Sequence, residues 1–91
     1  MHIAFQMNPD VKFQVIKILS ETIALPIERI TETSKFADLA VEKTDKEAFI
    51  DELGNKFRMT IRPMDAIGFT SLPKVFEFLH LSGVGHFSQA G

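Results

Sequence analysis

Phe36-Ala37-Asp38-Leu39-Ala40-Val41-Glu42-Lys43-Thr44 decides the fold, because it carries an apolar loop into the strongest helix start in the chain. Phe36 and Leu39 pin the loop. Thr44-Asp45-Lys46-Glu47 then has the form of a capping box. In such a box the Thr44 hydroxyl accepts from an early backbone N–H, and Glu47 reaches back to the N–H of the cap residue. Asp45 and Glu47 also complement the positive end of the helix dipole. Phe49, Ile50, Leu53 and Phe57 follow at helical spacing and make one apolar stripe, with Ala48, Asp51 and Asn55 opposite it. The spacing predicts a helix over 45–57.

Upstream, Asn8-Pro9-Asp10 is a second start signal. Asn8 suits the cap, Pro9 the first helical position, and Asp10 the dipole. Val11, Val15, Ile18, Leu19, Thr22 and Ile23 form its stripe, widened by Ile16. Phe13 lies off the stripe, on the side where the apolar residues 1–7 could meet it. Pro26 closes this helix, predicted over 10–24. Residues 26–43 form a long loop held by Ile27, Ile30, Phe36 and Leu39, with a helical turn at Pro26–Ile30. Thr31, Thr33 and Ser34 supply turn-type hydrogen bonds.

Downstream, Arg58-Met59-Thr60-Ile61 has strand-like alternation but no partner strand, so an extended cover for the core is expected. A short helical turn is expected near 63–67, stopped by Gly68. Ser71 then caps a last helix over 72–81, with Pro73 in its first turn. Residues 83–91 read as a tail. Phe36, Leu39, Phe49, Leu53, Phe57, Ile61, Phe69, Phe76 and Leu79 should be buried together. The expectation is one all-α domain spanning 1–91: a small helical bundle of three main helices and one short helix, with a long first loop.

Composition narrows the function classes. Ninety-one residues are enough for one small core. The net charge of −2 leaves no basic footprint for nucleic acid. With no cysteine there is neither disulfide nor thiolate chemistry. The opening Met1–Met7 is too short for the apolar region of a signal peptide, and no run approaches a membrane span. A cytoplasmic protein with no membrane partner is therefore expected.

The order of long helix, long loop, second helix, short turn and last helix resembles the acyl carrier protein family. The resemblance runs without a gap from Phe13 to Leu79. Val15-Ile16-Lys17-Ile18-Leu19 looks like the family's first helix. Ile30-Thr31-Glu32-Thr33-Ser34-Lys35-Phe36 looks like its loop, and Phe36-Ala37-Asp38-Leu39 like the approach to its active serine. Phe57, Ile61, Phe69-Thr70-Ser71-Leu72 and Val75-Phe76 continue the pattern. The fold implied is an acyl-carrier-protein-like bundle.

The departures carry the functional expectation. The family's motif reads Asp-Leu-Gly, a variable residue, then Asp-Ser-Leu, and its serine carries the phosphopantetheine arm. Here the register gives Asp38-Leu39-Ala40-Val41-Glu42-Lys43-Thr44. The acid persists as Glu42, but the serine position holds Lys43. An ammonium group has no hydroxyl to attack the coenzyme A pyrophosphate, so no phosphopantetheine cofactor is expected. A one-residue shift would offer Thr44 as the alternative attachment residue. The resemblance also implies apolar partner-docking residues just after the serine. Here they are Thr44, Glu47 and Asp51, all polar. The expected partner-facing set is thus Glu42, Lys43, Thr44, Glu47, Ala48 and Asp51. The function implied is a non-enzymatic protein–protein interaction module, with an acyl-chain-processing enzyme of fatty-acid or polyketide synthesis as one partner class. The other reading is a genuine carrier using Thr44.

Plainer explanations stand beside these. Lys43 is also what a solvated loop lysine looks like, and Asp38, Glu42, Asp45, Glu47, Asp51 and Glu52 are also what the wet side of a helix looks like. His2, His80 and His86 lie on separate segments, so no metal site is expected. No carboxylate pair accompanies a nucleophile in an apolar setting, so no catalysis is expected. Phe49, Phe69 and Phe76 are bulky enough to fill the interior, which predicts no apolar tunnel beside Lys43.

Overall fold

Asn8 starts the first helix as its sequence predicts: in a computed structural model describing residues 8–84, its Oδ1 accepts from the Asp10 N–H at 2.7 Å. Helix α1 runs Pro9–Ile23 and buries Val15 and Leu19. It ends at Ala24, which takes the left-handed conformation at φ 56°, so that Leu25 N–H reaches the Ser20 carbonyl at 3.0 Å. The stop therefore comes two residues before Pro26. A 3₁₀ turn at Ile27–Arg29 then delivers Ile30 to the core.

The long loop is tied down by its backbone. Phe36 N–H donates to the Thr70 carbonyl at 3.0 Å, and Leu72 N–H to the Ser34 carbonyl at 2.9 Å. These bonds flank an isolated bridge between Lys35 and Ser71. They join the loop to the start of the last helix. They also place the Phe36 ring edge-on to Phe49, with centroids 5.8 Å apart. Such a pair adds roughly 0.5–1.5 kcal/mol beyond burial.

Helix α2 is Lys43–Phe57, α3 is Pro63–Ala66 and α4 is Leu72–Leu81. The expected helices and turn all form. Among the described residues there is no strand, and Arg58–Ile61 is non-helical without pairing. The fold class is all-α. Among the described residues eleven apolar side chains make the core: Val15, Leu19, Ile30, Phe36, Phe49, Leu53, Phe69, Leu72, Val75, Phe76 and Leu79.

Several local expectations are corrected. Helix α2 starts two residues early, so its cap is Glu42 and not Thr44. Leu39, Phe57 and Ile61 are half-buried against the core instead of inside it. Phe57 is the last residue of α2, where the chain already turns outward, and Ile61 forms part of a groove wall. Ser71 occupies the cap position of α4, but its hydroxyl makes no capping bond. Gly83 and Val84, where the tail is expected to start, still close α4. Gly83 N–H bonds the His80 carbonyl at 3.0 Å and Val84 N–H the Leu79 carbonyl at 2.9 Å. This is a Schellman motif, with Gly83 at φ 92° supplying the turn and Val84 packed on the core. Residues 85–91, the rest of that tail, lie outside the described residues, as do residues 1–7 and with them the expected contact to Phe13.

Arg58 closes α2 in the same left-handed way, at φ 56°, with Met59 N–H bonded to the Gly54 carbonyl at 3.0 Å. A residue with a Cβ is strained there by roughly 1–2 kcal/mol. Glycine relieves that strain but loses more backbone freedom on folding. Arg58→Gly should therefore raise stability by about 0.5–1 kcal/mol. Urea unfolding of the two proteins checks this.

Candidate functional site

The first turn of α2 holds Lys43 and Thr44, with Glu42 just before it, the residues on which the functional expectation rests. Glu42 is extended, at φ −90° and ψ 170°, and its N–H donates to Asp45 Oδ2 at 3.2 Å. Its carbonyl accepts from the Lys46 N–H at 2.9 Å. The capping acid is thus Asp45, three residues after Glu42, instead of Glu47 three after Thr44. With this earlier box formed, Lys43 and Thr44 join the helix.

Lys43 is the first residue of α2 and is exposed. Thr44 follows it, also exposed, and its hydroxyl makes no hydrogen bond among the described residues. Glu47, Ala48 and Asp51 are exposed on the same helix. The six expected partner-facing residues therefore share one exposed surface, but they divide. Lys43, Glu47 and Asp51 form one edge of a groove between α2 and α3, and Glu42, Thr44 and Ala48 lie outside it.

The groove has a volume of about 540 Å³. Ile50, Ile61 and Ala66 give it a half-buried apolar floor, and Ile67 an exposed apolar edge. Its polar rim is Lys43, Lys46, Glu47 and Asp51 from α2, with Arg62 facing them. Beside Lys43, where no apolar tunnel is expected, this groove lies open at the surface. The rings do fill the interior, with Phe49, Phe69 and Phe76 buried and Phe69 edge-on to Phe78 at 5.3 Å. The groove lies outside that packing, as an open trough and not a tunnel. Lys46, Ile50, Ile61, Arg62 and Ile67 were not singled out as site residues from the sequence. Ile67 carried a usable signal, being apolar on a turn too short to bury both of its sides.

Arg62 is held in place on the far wall. Its Nε donates to Asp65 Oδ2 at 3.1 Å, its Nη2 to Oδ1 at 3.3 Å, and its backbone N–H to Oδ2 at 3.1 Å. The side-chain hydrogen bonds, then the backbone one, hold the Asp65 carboxyl below its usual range, and the same pair raises Arg62. Arg62 is exposed and Asp65 half-buried at the surface, so the effect is chiefly local order in α3.

Among the described residues no group of three or more His, Cys, Asp or Glu side chains could hold a metal ion, and no helix is long and apolar enough to cross a membrane. His80 is half-buried in the last turn of α4, and His2 and His86 lie outside the described residues. No protein-family model matches the chain, and neither does any curated protein.

Proposed function

We propose that this chain is an acyl-carrier-protein-like interaction module that works without a prosthetic group and meets a protein partner through α2. The observation that carries this is Lys43 at the first position of α2, exposed and without a hydroxyl, where the resembled family would present its serine. The core behind it is complete, with Phe49 and Leu53 wholly buried. A chain that keeps the inward face and changes the outward one supports a binding role in place of thioester chemistry. The partner class is an enzyme that handles acyl chains, which rests on the resemblance alone. The module itself is proposed to be non-enzymatic and cytoplasmic.

One observation favours the second reading, a carrier using Thr44. Thr44 is not the helix cap, so its exposed hydroxyl is not committed to the backbone. Incubating the wild type and Thr44→Val with coenzyme A and a broad-specificity phosphopantetheinyl transferase separates the two. The leading reading expects both to keep their mass. Modification of the wild type that Thr44→Val abolishes would establish the second.

A further inference from the structure

The groove rim has a charge order that nothing above uses. Along α2 it reads Lys43, Lys46, Glu47, Asp51: two cations, then two anions. The ion pairs formed among the described residues are Lys12–Glu32 and Arg62–Asp65, so all four rim charges stand unpaired within 4.0 Å. The order is also directional. Reversing α2 end for end turns cation-cation-anion-anion into anion-anion-cation-cation, its own complement. A two-fold axis performs that reversal, and a two-fold interface requires one patch to complement itself.

The apolar surface sits beside the same rim. Ile67, just after α3, is 76% exposed and edges the floor of Ile50, Ile61 and Ala66, and Met64 on α3 is 66% exposed. Exposed apolar residues gathered beside a groove mark interaction surfaces more often than singly scattered ones do.

We propose that this face binds a second copy of the chain, with the two α2 helices antiparallel across a two-fold axis. Lys43 of each copy then lies against Asp51 of the other and Lys46 against Glu47, and Ile67 covers the groove edge opposite. The four α2 charges balance, two of each sign, and Arg62 opposite them is already paired with Asp65. This association does not depend on the interaction role proposed above. It would cover Lys43, Glu47 and Asp51, and so compete with any partner docking there.

Sedimentation equilibrium of the full chain, from micromolar to millimolar, tests this. The wild type should form a dimer that weakens as salt rises, because its pairs lie near solvent. Lys43→Asp places like charges together twice by symmetry and should weaken the dimer about tenfold or more. Asp51→Lys should do the same. The Lys43→Asp, Asp51→Lys double variant restores the opposite pairing and should recover most of the loss. Ile67→Asp should give a monomer. All of these positions are exposed, and unchanged circular dichroism will confirm that each variant folds. A wild type monomeric to millimolar concentration would overturn the proposal. So would a dimer indifferent to Lys43→Asp and Ile67→Asp, or a double variant no better than the single ones.

Discussion

Phe49→Ala should lower the stability of this protein by about 3–5 kcal/mol, the usual effect of removing a buried ring. Phe49 is the largest wholly buried side chain, and it meets Phe36 edge-on. A small domain has a total stability of roughly 5–15 kcal/mol, and one of this size sits near the low end. The variant should therefore be largely unfolded at moderate temperature. Phe57→Ala should cost clearly less, because Phe57 is half-buried at the end of α2. Urea unfolding of both ranks them. A Phe49→Ala protein that melts like its parent would remove the core assignment.

On the proposed reading, a serine at position 43 should not by itself make this chain a carrier. Lys43→Ser regains a hydroxyl at the first position of α2 but keeps exposed Thr44, Glu47 and Asp51 beside it. Burying one aliphatic side chain contributes about 1.5–3 kcal/mol. Three such contacts missing from a transferase interface amount to several kcal/mol, and about 1.4 kcal/mol is a factor of ten in affinity. Desolvating Glu47 and Asp51 against an apolar surface adds to the deficit. Lys43→Ser should be modified slowly or not at all. Adding Thr44→Leu, Glu47→Val and Asp51→Met should raise the modification rate by orders of magnitude. Time courses of transferase labelling on these variants check both steps. Ordinary carrier rates for Lys43→Ser alone would show that only the hydroxyl was missing.

The helices were legible because their stripes and stops are local. Asn8-Pro9-Asp10 fixes the start of α1, and Val15 and Leu19 fall on its predicted buried face. The α2 boundary was misread because two acids compete for the third helical position. Thr44 with Glu47 and Glu42 with Asp45 have the same spacing, and only tertiary placement of the loop selects the second. Leu72 and Val75 follow from the apolar face of α4, but the loop strap at Lys35 and Ser71 is a contact between distant residues that no local pattern announces.

The site was legible in part. Lys43, Thr44, Glu47, Ala48 and Asp51 were named from the sequence and all lie exposed on α2. The groove beside them was not, because half its wall comes from residues 61–67, which look like core cover when read alone. Apolar type predicts that Ile61 and Ile67 avoid water. It does not distinguish a side chain that closes a core from one that lines a trough.

The central claim is that this fold displays its α2 turn without a phosphopantetheine arm. The intact mass of the wild-type chain, after co-expression with a phosphopantetheinyl transferase active on ordinary carriers, tests it most directly. The account predicts a single species at the mass of the unmodified polypeptide, while a control carrier in the same cells gains the arm completely. A wild-type species heavier by one phosphopantetheine would contradict it.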